Sequence, residues 1–246
     1  IPYKNINNFS TYTEAAERTI SIVYPKGKNL TPELADEIAK NFSIFEKSLY
    51  SYDYDSDVYG YKAYIDVQSF VDYFLINEFT VNYDAGGRST FMYRDLGNRY
   101  KMCIWDFNAC CGNYIRDVSD KTFFLTERTW FSKLATDEAF TQTVIDRYRD
   151  LRKTYFSDEY LSNYIDQTIA YLGPAVDRNF EKWGYTFDKD FEMLYPKDRN
   201  HISYDDAVMQ YKNFMIQRGA WLDENIETLK SYSAESAVKQ YTHEMR

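Results

Sequence analysis

Three features of the sequence predict an α+β fold that is mainly α. Apolar residues recur at helical spacing from Thr31 to about residue 50, from Val67 to about Thr80, and through most of the chain from Thr126 onward. β-branched alternation is confined to Arg18–Tyr24 and to the paired stretches Ser89–Asp95 and Arg99–Trp105. Capping residues punctuate the helical stretches, and no repeat or low-complexity linker interrupts them.

The elements follow in order. Arg18-Thr19-Ile20-Ser21-Ile22-Val23-Tyr24 reads as one short strand before Pro25. Thr31 is a hydroxyl N-cap with Pro32 at the first helical position, and Ile38, Phe42, Ile44, Phe45 and Leu49 form the apolar face. Ser51–Gly60 is an Asp- and Tyr-rich loop. Its Asp53, Asp55 and Asp57 lack the glycine and glutamate of a calcium loop, so that reading carries little weight. Asp66 is the expected cap of a second helix, in which the polar Asp72 and Asn77 interrupt an apolar run. Gly97-Asn98 is the turn of a hairpin. Asp137 starts a helix reaching about Tyr155. Ser157 starts another reaching about Trp183 and broken at Gly173-Pro174, and Ser203 starts one reaching about Lys230. Ser231–Arg246 reads as a marginal helix or frayed end.

Composition narrows the function classes. With 246 residues, 44% hydrophobic, the chain buries a core without disulfides or a structural metal. Its 25 Tyr are expected at half-buried positions, ring packed and hydroxyl wet. Thirty-eight acidic against 29 basic side chains give a net charge of −9, which argues against a duplex nucleic-acid partner. No apolar run is long enough to span a membrane. Cys103, Cys110 and Cys111 form no disulfide framework, and with only His201 and His243 they complete no zinc site and no Ser-His-Asp or Cys-His centre. The sequence begins at Ile1 without Met or a signal-peptide pattern, so it is expected to start partway through a longer protein.

The hairpin is where chemistry is expected. Asp84 precedes its first strand and Asp106 follows its second, and neighbouring strands lie about 5 Å apart, so the hairpin should set two carboxylates side by side. Such a pair suits a magnesium–phosphate site or an acid/base pair. Gly86 and Gly87 are expected to let backbone approach a ligand. The bland alternative, Asp84 opening a turn and Asp106 capping a bend, is slightly favoured on geometry alone.

An ordered series of residues shifts that balance. Tyr64-Ile65-Asp66-Val67-Gln68-Ser69-Phe70, Asn77-Glu78-Phe79-Thr80-Val81-Asn82-Tyr83-Asp84, Arg88-Ser89-Thr90-Phe91-Met92-Tyr93-Arg94-Asp95 and Lys101 come first. Trp105-Asp106-Phe107-Asn108, Trp130-Phe131, Arg147–Arg152 and Arg178–Trp183 follow. Together they resemble the signature of the CotH family, spore-coat and secreted proteins with an atypical protein-kinase fold, over roughly residues 20 to 225. The resemblance implies a helical C-terminal lobe whose small β-hairpin carries a phosphoryl-transfer site, with ATP and Mg2+ as cofactors and a protein substrate or coat partner. It implies a secreted, cell-surface or spore-coat location. Asp84 matches the catalytic aspartate and Asp106 the metal-binding one, with Ser89 and Asn108 at the other metal positions and Arg88 beside the nucleotide.

Departures from the pattern are specific. Ser89 stands where spore-coat members carry a second metal-ligating Asn, although a Ser-Thr pair here resembles a secreted branch. Asn108 replaces an Asp, and Met102-Cys103 replaces a Gly-Pro. No Gly-rich phosphate loop and no strand lysine with a helix glutamate is recognisable upstream. Residues 1–246 are therefore expected to be a single domain equivalent to the central and C-terminal part of a CotH kinase domain. Without the N-terminal nucleotide lobe, such a piece should be catalytically poor by itself. Two functions fit: a CotH-type kinase acting on Ser or Thr, or a non-catalytic CotH-like surface or scaffold module with a degenerate site. Trp130, Trp183 and Trp221 are expected in the core rather than on a sugar, and Arg147, Arg149 and Arg152 on a solvated face ion-paired with Asp146 and Asp150.

Overall fold

The computed structural model describes residues 8–10, 19–188 and 190–233, so the tail predicted at Ser231–Arg246 lies, from residue 234 on, outside the described residues. Helix makes up 56% of the structure. The strands among the described residues form two two-stranded sheets, β1 (Asn8–Ser10) with β2 (Thr19–Ser21) and β3 (Phe91–Tyr93) with β4 (Lys101–Cys103). The fold class is therefore α+β and mainly α. The helices are α1 (Pro32–Leu49), α2 (Val67–Thr80), α3 (Thr129–Leu134), α4 (Glu138–Arg152), α5 (Asp158–Leu172), α6 (Ala175–Trp183) and α7 (Tyr204–Asn225).

Four of the predicted caps act as expected. Thr31 accepts from the Leu34 amide at 3.2 Å, Asp137 from Ala139 at 2.9 Å, Ser157 from Tyr160 at 3.2 Å and Ser203 from Asp206 at 3.1 Å. Each satisfies one of the orphan donors of a first helical turn. Gly173, at φ +47°, ends α5 where the break was expected. The strands are shorter than predicted, three residues each.

The chain divides into two compact units. The first comprises the described residues of Ile1–Val67 with Met92–Lys101. Here β1 pairs antiparallel with β2, Phe9 opposite Ile20. The buried Ile22, Leu30 and Ala35 pack with Phe9, Leu34 and Ile38. Phe42 meets the rings of Phe9, Phe45 and Tyr100 at 5.6–5.8 Å, edge-on contacts that suit aromatic quadrupoles.

The second unit, Gln68–Phe91 with Met102–Ser233, holds every candidate site residue. Its core gathers around α2. Phe131 of α3 stacks on Tyr73 at 5.5 Å and 10° and touches Phe70 and Phe74, while Phe79 meets Phe156 at 4.4 Å. Phe140, Val144, Ile145 and Tyr148 of α4 and Leu222 of α7 complete it. α4 carries Arg147, Arg149 and Arg152 as an ion-paired surface, but their partners lie off the helix: Asp72 and Glu227 for the first two, and Asp158, six residues on, with the distant Asp223 for Arg152. Asp146 and Asp150 are not those partners. Trp130 is buried and Trp221 half-buried, whereas Trp183, on the short amphipathic α6, is 44% exposed, against expectation. Cys110 and Cys111 are buried free thiols, as their small apolar character suggests. Neither α5 nor α6 buries a single side chain fully.

Candidate functional site

The site loop begins where α2 stops. Thr80 donates its hydroxyl to the Ile76 carbonyl at 2.7 Å, and the Asn82 amide reaches back to the Asn77 carbonyl at 3.0 Å. Val81 between them adopts φ +47°, a genuine outlier for a β-branched residue. A tight turn follows, with the Ala85 amide on the Asn82 carbonyl and both the Gly87 and Arg88 amides on the Asp84 carbonyl at 3.3 and 2.7 Å. This leaves Asp84 half-buried with its backbone held and its carboxylate free of any described hydrogen bond.

Gly86 sits at φ +75°, and a Cβ on it would lie 2.7 Å from Arg128 Cβ and 2.8 Å from Leu125 Cδ2. The glycine therefore admits another segment of the chain, rather than a ligand as the sequence suggested. Thr129 secures the contact by donating its hydroxyl to the Gly86 carbonyl at 2.7 Å.

Asp106 arrives from β4 with φ +55° and an exposed side chain. Its carbonyl accepts from Asn82 Nδ2 at 3.2 Å, and its Oδ2 accepts a long bond from the Ser89 hydroxyl at 3.5 Å. The Asn82 orientation is fixed. Asn77 gives its Nδ2 to the Tyr73 carbonyl at 2.8 Å, so its Oδ1 faces Asn82 Nδ2 at 3.0 Å. Both neighbours of Asn82 Nδ2 are acceptors, which leaves the buried Asn82 Oδ1 without a partner. An orphan of this kind costs about 1–3 kcal/mol. Strain gathers here too: Val81, Ser89, Asp106, Cys111 and Thr129 are the non-glycine residues with positive φ among those described. Such conformations cost on the order of 1–3 kcal/mol each and cluster at functional sites.

Beneath the loop lies a fully buried ion pair. Glu78 receives the Phe124 and Leu125 amides on Oε1 and Arg218 on Oε2 at 3.0 Å. Arg218 also donates to the carbonyls of Glu78, Asp120 and Thr122. Burial pushes the Glu78 carboxyl up to about 7, against the pull of Arg218 and the two amides. Above the loop, the Arg128 guanidinium lies 4.9 Å over the Tyr83 ring, which meets Tyr114 at 4.8 Å.

Of the residues singled out in the sequence, Ser89 and Asp106 are brought into contact. The Asp84 and Asp106 carboxylates share no partner; their common anchor is Asn82, two residues before one and bonded to the backbone of the other. Asn108 is exposed and is tied only through its carbonyl, which accepts from Asn113 at 2.8 Å. Arg88 is exposed, with no carboxylate bonded to it. Sequence reasoning missed Asn82, the Glu78–Arg218 pair and Arg128. Asn77 signalled the first, being a polar residue within an apolar helical run.

Among the described residues no group of three or more His, Cys, Asp or Glu could hold a metal. Asp106 with Ser89 offers hard oxygen donors of the sort that suits Mg2+ shared with phosphate oxygens rather than caged by protein alone. No described helix is long and apolar enough to cross a membrane.

A family model described as CotH kinase protein matches residues 5–222, and the chain belongs to this family. No curated protein matches the chain.

Proposed function

We propose that the chain is a protein kinase of the CotH type, transferring the γ-phosphoryl group of ATP to Ser or Thr hydroxyls of secreted, cell-surface or spore-coat proteins. In this reading residues 1–246 act as the central and C-terminal part of the kinase domain. The observation that carries it is Asn82, two residues before Asp84, whose side-chain amide donates to the carbonyl of Asp106, itself in a left-handed conformation. Strained backbone positions cluster at active sites and ligand clamps, which supports reading this displayed carboxylate as a ligand facing phosphate.

The roles follow from chemistry. Asp84, its carboxylate free of protein donors, accepts the proton of the acceptor hydroxyl as that oxygen bonds to the γ-phosphorus. The bond from phosphorus to the β–γ bridging oxygen breaks and ADP leaves, giving phosphoprotein and one proton. Asp106 and Ser89 would hold magnesium, with Asn108 nearby, and Arg88 would face the nucleotide phosphates. Magnesium, when bound, neutralises charge on the β- and γ-phosphate oxygens.

Melting the chain with and without Mg-ATP, beside Asp106→Ala, tests this. A ligand at 100 times its Kd adds about 2.7 kcal/mol, so a clear rise in wild type that vanishes in the variant is expected. No rise in wild type, measured on a chain that also carries the N-terminal nucleotide lobe, sinks the proposal. A second reading, a non-catalytic surface or coat module, draws on the neutral Asn108 amide, exposed where the family pattern has an acid.

A further inference from the structure

We infer that Arg128 is a specificity-determining residue that binds an acidic side chain of the protein acceptor beside the hydroxyl to be phosphorylated. The inference rests on the kinase reading of Asp84 and names the substrate class of that site.

Position is the first argument. Arg128 Nη1 lies 3.4 Å from where a Cβ on Gly87 would stand, and Gly87 belongs to the turn closed on the Asp84 carbonyl. The guanidinium covers the ring of Tyr83, the residue next to Asp84. An acceptor segment entering at Asp84 meets this arginine and the Tyr83–Tyr114 wall.

Pre-organisation is the second. The Glu78 carboxyl takes the Phe124 and Leu125 amides, the Arg128 amide bonds the Leu125 carbonyl at 2.9 Å, and Thr129 bonds Gly86. The arginine is thus held at both flanks, and its head rests on an aromatic face. Little rotamer freedom remains to be lost on binding.

Charge is the third. In the same unit Arg147, Arg149, Arg152 and Arg218 each face a carboxylate. Among the described residues none faces Arg128, in a chain where acids outnumber bases 38 to 29. A planar guanidinium fork left open is matched bidentately by Asp or Glu.

The test uses the full chain and labelled peptides with one Ser flanked by Glu, or by Gln in a neutral twin, read by fluorescence anisotropy. The Glu peptide is expected to bind at least about fivefold tighter, which is about 1 kcal/mol. That ratio should fall to near one in Arg128→Gln and be only partly kept in Arg128→Lys, whose ammonium retains the charge without the planar fork. Should Arg128→Gln fail to fold, Arg128→Met keeps the apolar stem over Tyr83 and gives the same reading. Equal binding of the two peptides, or a ratio unchanged by Arg128→Gln, overturns the inference. Mg-ATP melting shifts in the same variants separate the two proposals. Loss of the shift in Arg128→Gln with the peptide ratio intact assigns Arg128 to the nucleotide, overturning the inference alone. A Glu preference that depends on Arg128, without any Mg-ATP shift in wild type that also carries the N-terminal nucleotide lobe, supports acidic docking and overturns the kinase reading.

Discussion

The side-chain amide of Asn82 donates to the backbone carbonyl of Asp106 at 3.2 Å, joining residues 24 apart in sequence. This bond, not the hairpin alone, registers the two halves of the site. Removing it in Asn82→Ala leaves the Asp106 carbonyl and Asn77 Oδ1 without their donor, while also deleting the orphaned Oδ1. A net loss of about 1 kcal/mol is expected, with a larger effect on function. The Mg-ATP melting shift should disappear although urea unfolding remains cooperative. A shift equal to wild type would show that Asp106 needs no such support.

Gly86 and Gly97 make a contrasting pair. Both have positive φ, but nothing lies within 4 Å of a Cβ on Gly97, whereas one on Gly86 meets Arg128 and Leu125. Gly97→Ala should cost roughly 1 kcal/mol from backbone alone. Gly86→Ala should cost about 2–4 kcal/mol, from backbone strain and overpacking together, and should weaken ligand binding as the 125–128 segment is displaced. Similar urea midpoints for the two would contradict this.

Glu78 makes stability depend on pH. Burial raises its carboxyl from the ordinary 4.5 to about 7, so the folded state holds its proton more tightly than the unfolded chain. Its contribution is fully present below about pH 4.5 and is lost as pH rises to about 7. The melting temperature of wild type should carry a downward component over that window that Glu78→Gln lacks. Identical pH profiles in the two proteins would remove Glu78 as the cause.

Arg218→Met leaves the Glu78 carboxyl buried without its cation and three carbonyls without a donor. Breaking one side of a buried pair costs about 3–5 kcal/mol. The double variant Glu78→Gln/Arg218→Met should recover part of that loss. Additive losses would show that the two residues do not act as a pair.

Asn108→Asp restores the charge two residues from Asp106 that the family pattern carries. A larger Mg-ATP melting shift is expected, with little change without ligand, because the side chain is exposed. An unchanged or smaller shift would place Asn108 away from the phosphates.

Local chemistry made much of this legible in the sequence. Thr31, Asp137, Ser157 and Ser203 act on their own next turn, and Gly173 ends its own helix, so each was readable from a few residues. The strand Asn8–Ser10 was not, because three residues carry no alternation and gain their identity from pairing with Thr19–Ser21. At the candidate site, the contact between Ser89 and Asp106 was legible, because the resemblance singled out both residues. Arg218 on Glu78 and Arg128 on Tyr83 were not, since both join segments brought together only by the tertiary fold. Trp183 misled because its apolar neighbours belong to a short helix whose inner face is only half-buried.

That half-buried face has a consequence for how the second unit comes apart. With no side chain of α5 or α6 fully buried, the pair is held by its caps, by half-buried contacts and by ties such as Lys212 to Asp166 at 2.5 Å. Opening residues 158–183 uncovers half-buried side chains such as Leu161, Ile165 and Phe180 but no fully buried one, so its free energy should lie below that of unfolding the α2–α4 core. Amide protons there should exchange with solvent through local excursions, and a protease should cut there first. The two helices are thus expected to open as a layer of their own while the Asp84 loop stays intact.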